Sequence, residues 1–599
     1  MAEQLGSSHT SATPFWFGPK ERPLFGWLHL PIDQVARGGV VLCPPLGIEA
    51  ICVYFSYRAL ADRLAERGLA VLRFDYDGTG DSSGTETDPG RLEAWLGSVT
   101  AAVDRLADTG VGAIGLAGIR MGGLFAASEA ARRGGVDALV LWDPCPSGKA
   151  FLREQRFLRS LTVGEDTGDD KAVEAPGILF EAETVQDLSE LDIVHMEGSL
   201  AHRHLVLVPP GRSRPPVLER RLSGSQVEWQ AATGQEDLLD SQLQETPWET
   251  IARVADWLAD ALKCEPVRVT PPASGPAAVQ TARSGQTIIE TPVQLGTLEL
   301  FGIVTEGVDT PTSPTIVLVN EGNTHHIGQS RVWVDLARQL GGAGFRVLRF
   351  DLSGNGDSGT RPQQPAHVAR APEAGDDVTE AVRAISPEDP TDVVLIGFCS
   401  GAYQIAEQSL EHPTRGICII NPSFSFVPPE PTGSWERPAR QSTKRWFVSL
   451  ANLPLAWAAA RRGPQEVRRW INALDIGTWP VAFSTRHPSI PGPIWWVVNR
   501  VLLDNPGVGT LERIVGSGVD TLLVCGPDDL LPISLGSEGR VRRMRQSDHF
   551  QVVVLDDLDH SSWPLYQRKR MIEVLTEHLL ARHRPVGSIS QTSDLTGNP

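Results

Sequence analysis

A cysteine between two glycines is the feature of this sequence best suited to chemistry. Gly397-Phe398-Cys399-Ser400-Gly401 follows the apolar run Val393-Val394-Leu395-Ile396 and precedes Ala402-Tyr403-Gln404-Ile405-Ala406. The run reads as a strand and the residues after it as the opening of a helix. The five between them form a G-x-nucleophile-x-G turn, which holds one side chain out on a sharp strand-to-helix bend. A thiol at such a tip attacks a carbonyl carbon and becomes a thioester acyl-enzyme. Thioesters yield to amines and thiols as well as to water, so cysteine here favours acyl transfer or thioester cleavage. An ordinary thiol, with a pKa of ~8.5, is only a few per cent ionised at neutral pH, so the turn needs a base to take its proton. The positive end of the following helix favours the thiolate as well. Ser400 stands one position past the tip.

A side chain of this kind works only if a sheet fixes it, and the chain carries the pattern of one twice. From Phe15 to Pro31 aromatic and apolar residues alternate with polar ones, as in paired strands. Val40-Val41-Leu42-Cys43 is a short strand, Tyr57 to Arg67 a helix that stops at Gly68, and Ala70 to Asp75 another strand. The loop Asp77 to Ser82, a helix over about 91–107 and the strand Ala113 to Ala117 lead to Gly118-Ile119-Arg120-Met121-Gly122. About 276–279 residues on, the programme repeats. Ile316–Val319 matches Val40–Cys43, and Val347-Leu348-Arg349-Phe350-Asp351 matches Val71 to Asp75. Gly354-Asn355-Gly356-Asp357-Ser358 matches Gly78-Thr79-Gly80-Asp81-Ser82, Cys399 matches Arg120, and Asn421-Pro422 matches Asp143-Pro144. Strands alternating with helices imply an α/β fold, a mostly parallel sheet flanked by helices, in each half. The expected organisation is a polar tail at 1–13, a first domain at 14–262, a Pro/Ala/Ser/Gly-rich linker at 263–286, a second domain at 287–583 and a tail at 584–599.

Each half resembles the α/β-hydrolase superfamily, in particular its serine-aminopeptidase-like (S33-like) branch. The resemblance rests on the GxGDS loops and the elbows, and covers the chain apart from its tails and linker. It implies two tandem α/β-hydrolase folds and a triad in the order nucleophile, acid, histidine. After Cys399, the strand Thr521–Cys525 runs into Gly526-Pro527-Asp528-Asp529, and the family spacing favours Asp529 as the acid, with Asp528 the alternative. His560, after the strand Val552–Leu555, falls in the loop of the family's histidine. In these roles His560 takes the thiol proton and the aspartate fixes the imidazole's tautomer. The oxyanion needs two backbone donors: Ser400, and Gly322 or Asn323 from the loop after Ile316–Val319. His325 and His326 lie near that loop and read as structural or substrate-proximal. The insertion at about 425–519 is of the kind that caps this fold. It is rich in Trp and Arg, so a basic rim there could dock an acyl-carrier protein or CoA.

The first half has lost these groups. Arg120 replaces the nucleophile, the strand His204–Val208 runs into Pro209-Pro210-Gly211-Arg212 where an acid is expected, and no histidine follows Val227–Gln230. A cation at a helix N-terminus is unfavourable without an anion beside it. Glu49 is the nearest candidate partner, in a structural pair or, alternatively, at an anion site. The arginine version of the elbow also resembles hydrolase-like proteins associated with exosortase gene systems. The first domain is expected to act as a scaffold.

The bulk numbers exclude several classes. Of 599 residues 41% are hydrophobic and 21% charged, as in a globular protein too long for one core. A formal net charge of −19 argues against nucleic-acid or membrane-surface binding. The seven cysteines are scattered, without a Cys-x-x-Cys pair or Cys/His cluster, so reduced thiols, a cytoplasmic location and no metal or cofactor are expected. Neither a signal peptide nor a membrane-spanning stretch is read. The resulting expectation is a cysteine-dependent thioesterase or acyltransferase acting on an ester or thioester, in specialised-metabolite or fatty-acyl metabolism. A simple ester, lactone or peptide hydrolase and a non-catalytic binding pseudo-hydrolase are the alternatives.

Overall fold

The computed structural model describes residues 10–162, 171–240, 244–281, 285–308, 314–368, 371, 373–422, 506–527, 538–560, 562 and 564–584. Two compact units emerge. One holds the residues up to Gly397 and those after His560; the other is Phe398–His560.

In the first unit, the first half forms an eight-stranded sheet. Its strands are β1 (Thr10–Phe17), β2 (Leu24–Pro31), β3 (Gly39–Cys43), β4 (Ala70–Phe74), β5 (Ile114–Ile119), β6 (Val136–Trp142), β7 (Ala201–Val208) and β8 (Gln226–Ala231). They lie in the order β1-β2-β4-β3-β5-β6-β7-β8. β1 and β2 make an antiparallel edge, and every pairing from β4 to β8 is parallel. The parallel strands are apolar on both faces because both are covered. Side chains alternate across the pleat, so Val41, Leu72, Leu116 and Val206 enter one core, while Val40, Leu42, Val71 and Leu205 enter the other. Helices α1 (Ile48–Glu66) and α2 (Trp248–Ala261) cover the second face.

The same unit contains the opening strands of the second half. β9 (Ala277–Gln280), β10 (Thr287–Leu295), β11 (Leu300–Gly307), β12 (Thr315–Val319), β13 (Arg346–Phe350) and β14 (Val393–Phe398) run in the order β9-β10-β11-β13-β12-β14. The exchange of β12 and β13 repeats that of β3 and β4. Smaller details repeat too. Ser82 Oγ accepts from Phe25 N at 2.9 Å and donates to Asp75 O at 2.7 Å. Ser358 Oγ accepts from Phe301 N at 2.9 Å and donates to Asp351 O at 2.7 Å.

A reciprocal set of buried ion pairs joins the first half to these strands. The aspartate of each GxGDS loop binds the arginine of the other half's Val-Leu-Arg-Phe-Asp strand. Arg73 Nη2 donates to Asp357 Oδ1 at 2.6 Å, and Arg349 Nη1 donates to Asp81 Oδ1 at 2.5 Å. Tyr54 adds a short hydrogen bond to Asp357. His326 donates to Asp351 Oδ2 at 2.9 Å and to Asp81 Oδ2 at 2.7 Å. Buried charges persist only when paired and hydrogen-bonded, and here every one answers another. Burial alone would strip His326 of its proton, but Asp351 and Asp81 outweigh it and raise its pKa well above 6.5. Asp357 falls to about 2, its burial outweighed by Arg73 and Arg58. Phe25 and Phe301, equivalent in the repeat, stack beside this set with centroids 6.4 Å apart.

In the second unit, β15 (Gly416–Ile420), β16 (Asp520–Cys525) and β17 (Phe550–Val554) are parallel and in register. Helix α3 (Ser400–Glu411) packs on β15.

Candidate active site

The elbow at Cys399 is built by its neighbours. Cys399 has φ 49° and ψ −110° and stands immediately before α3. A non-glycine residue held there stores about 1–3 kcal/mol of strain, so the surroundings must impose it. Cys399 N donates to Ile420 O at 3.0 Å, fixing the turn to the end of β15. Ser400 opens α3 and is buried. Cys399 itself is partly exposed.

His560 comes to the thiol from 161 residues away, with Nε2 3.3 Å from Cys399 Sγ. Asn421, one residue past β15, positions it. Its backbone is left-handed, with φ 39°. Its Nδ2 donates to Asp559 O at 3.0 Å and His560 O at 3.3 Å, while Oδ1 accepts from Gly526 N at 3.1 Å. One amide therefore ties the histidine loop to the turn that follows β16. The sequence showed Asn421 only as a repeat match to Asp143. The match of Asn-Pro to Asp-Pro just past equivalent strands was the available signal.

The other expected residues fall as follows. Asp528 and Asp529 lie outside the described residues, as does nearly all of the cap at 425–519. Gly322, with φ 55°, and Asn323 follow β12 in the first unit, where Asn323 Nδ2 donates to His367 Nε2 at 2.9 Å. His325 and His326 are both interior. His325 stacks on Tyr54 at 3.6 Å, and burial, with the charge of His326, lowers its pKa to about 3. His326 has both ring nitrogens on carboxylates. The substrate-proximal reading therefore does not hold for His326, because its ring is consumed in the join between the repeats. His326, Asp351 and Asp357 lie close enough to hold an ion, but those same contacts occupy the imidazole.

The first elbow keeps the backbone and changes the chemistry. Arg120 has φ 54° and ψ −122° and donates its N–H to Trp142 O at 3.0 Å. The flanking glycines allow the close approach: a Cβ on Gly122 would stand 2.1 Å from Cys43 O. The guanidinium meets Glu49 Oε1 at 3.3 Å and Asp143 Oδ2 at 3.7 Å, and contacts Glu154 closely. Glu49 was legible in the sequence; Asp143 and Glu154 were not. Arg212 reaches Asp143 Oδ1 at 3.9 Å. Burial raises Glu49 and Asp143 above ordinary carboxyl values despite Arg120. Arg212 lies as far beyond Leu207 as Asp529 lies beyond Val524, and these two strand residues hold equivalent register positions against Trp142 and Ile420.

Comparison with known proteins agrees with this architecture. The α/β hydrolase family model matches residues 316–574, and that of serine aminopeptidase, S33, matches residues 48–162. The chain belongs to the α/β-hydrolase superfamily through both of its halves. It is a tandem protein whose first half matches the S33 branch, and by family its chemistry is of the hydrolase kind. Solved structures similar to it include Est1E from Butyrivibrio proteoclasticus with ferulic acid bound (18% identity, 41% of this chain and 98% of that one, TM-score 0.34). Proline iminopeptidase from Mycobacterium smegmatis is another (17% identity, 49% and 98%, TM-score 0.30). A third is carboxyl esterase 2 from the mycorrhizal fungus Tuber melanosporum (18% identity, 43% and 87%, TM-score 0.29). No curated protein matches. Among the described residues no helix is long and apolar enough to cross a membrane.

Proposed function

We propose that the second half is a cysteine-dependent acyl-transfer enzyme, a thioesterase or acyltransferase, acting on an ester or thioester. The observation that carries this reading is the 3.3 Å approach of His560 Nε2 to Cys399 Sγ at a strained elbow. His560 takes the thiol proton as sulfur attacks the acyl carbon. The acyl group passes to sulfur, and the histidine returns its proton to the departing thiol or alcohol. Water or an amine, deprotonated by the same imidazole, then releases the acyl group. Ser400 N, first in α3, is the proposed donor to the oxyanion, with Gly322 or Asn323 as the second and Asp529 or Asp528 as the acid behind His560. Asn421 is a positioning residue for the histidine loop. An acyl-carrier protein or CoA is the proposed thioester carrier.

The test is turnover of a chromogenic acyl thioester by the full chain, with and without a primary amine. The proposal expects thiol release that disappears in Cys399→Ala and His560→Ala, with amide formed in competition with free acid. Thiol release that persists in Cys399→Ala would overturn it. Release of free acid alone, at every amine concentration, would make the enzyme a thioesterase and not an acyltransferase.

A further inference from the structure

Beside the first elbow lies a cavity of about 680 Å³, within the range of about 300–1,000 Å³ typical of small-molecule sites. Arg120 and Glu49 line it, together with Asp143, Arg153, Phe157 and Arg212. All belong to the first unit, and the thiol beside Arg120 and Glu49, Cys145, is buried with its pKa raised by that burial, so no acyl chemistry is assigned to this space.

Three observations show a built site. Glu49 is only 4% exposed, and although Oε1 meets Arg120 and lies 3.5 Å from Gln155 Nε2, Oε2 is buried without a partner among the described residues. Buried carboxyl oxygens are ordinarily hydrogen-bonded, so this one is unanswered until something enters. Phe157, by contrast, is 64% exposed on the cavity wall, a large apolar surface left uncovered by the described residues. Arg153 is exposed and makes no ion pair among the described residues, and Arg212, 68% exposed, touches Asp143 only at 3.9 Å.

We propose that this cavity binds a small organic carboxylate with an apolar chain. Arg153 and Arg212 answer its charge, Glu49 Oε2 hydrogen-bonds its polar end, and Phe157 covers its chain. The sign of the charge follows from the lining. Three arginines face three carboxyls, but burial pushes Glu49 and Asp143 toward the neutral form. Protonation of Glu49, which its burial favours against Arg120, lets Oε2 donate to an anionic oxygen. Helix α1 begins at Ile48 on the cavity wall, and the helix Met121–Arg132 begins beside Arg120, so two positive helix ends reinforce the preference. An alkylamine would instead bring a further cation to three arginines. The arginine elbow thus makes a recognition site where the cysteine elbow makes a reaction site.

The test is calorimetric titration of the full-length protein with decanoate, decylamine and decanol. Saturable decanoate binding is expected, with at least a tenfold loss of affinity in Arg153→Glu/Arg212→Glu and no saturable binding of decylamine. Both substituted arginines are exposed, and Phe157→Asp, at another exposed position, is a second variant expected to weaken binding. Thioester turnover is read separately, so failure of one reading leaves the other standing. Absence of saturable decanoate binding to the wild type would overturn the inference. So would unchanged affinity in both variants, or tighter binding of decylamine than of decanoate.

Discussion

Arg120 and Cys399 stand on nearly the same backbone, φ 54° and ψ −122° against φ 49° and ψ −110°. Each donates its N–H to the last residue of the neighbouring strand, Trp142 or Ile420. Asp143 and Asn421, next along, share the left-handed conformation with φ 41° and 39°. The strained turn has therefore survived in a half that has no nucleophile to present. Strain at this elbow is imposed by the sheet and by the close glycine packing, and is no proof of catalysis. What differs is the side chains. The second half sets a thiol, an amide and a histidine around the bend. The first sets an arginine among three carboxyls, with Arg212 at the sequence spacing from its strand that Asp529 has in the second half. The amide of Asn421 can orient a histidine loop by accepting and donating at once; Asp143, at the same position, meets Arg120 and Arg212 instead.

Substitutions can break or sharpen this contrast. The largest effect is expected at His560→Ala, which should lower thioester turnover by about 10²–10⁴. Arg120→Cys, which restores a thiol to the first elbow without a histidine, should add none; steady-state assays of both variants decide. Next comes the join between the repeats. Asp81→Ala leaves His326 and Arg349 buried without that counter-ion and should cost about 3–5 kcal/mol of stability in urea denaturation. Asp357→Ala should cost about as much, since it leaves buried Arg73 with no carboxylate among the described residues, whereas His326 keeps Asp351 and Arg349 keeps Glu290 when Asp81 is lost. A much smaller loss for Asp357→Ala would contradict this pairing. Asn421→Ala should then lower kcat by about tenfold with KM nearly unchanged, because misplacing a catalytic base slows the chemical step more than binding. An equal rise in KM would give Asn421 a binding role instead. The smallest effect is on pH. His326 is raised in the folded protein, so its stabilisation is complete below its ordinary value of 6.5 and is lost as pH rises toward the folded value. The stability gap between wild type and His326→Gln should narrow above pH 6.5 by at most ~1.4 kcal/mol per pH unit.

Much of this was legible in the chain. The repeat of Val-Leu-Arg-Phe-Asp and Gly-x-Gly-Asp-Ser gave both sheets, and the glycines around Cys399 and Arg120 gave both elbows. Glu49 beside Arg120 was expected because a cation at a helix N-terminus needs an anion. What escaped were partners supplied by elements without a motif. Glu154 comes from mid-helix, and nothing in its neighbourhood marks it. His326 looked close to a pocket because it follows the oxyanion-side loop, yet its partner Asp81 is 245 residues away. Local spacing cannot reveal a pairing between repeats. The exchange of Asp81 and Asp357 between the halves follows from how the repeats meet, and is visible only in three dimensions.

The central claim is that only the second elbow does chemistry. Intact-protein mass spectrometry after brief exposure to an acyl thioester tests it most directly. A single added acyl mass on the wild type, mapping to the peptide of Cys399, absent from Cys399→Ala and retained in Arg120→Ala, is the predicted result. An adduct that persists in Cys399→Ala, or a wild type that never acquires one while still turning over substrate, would contradict it.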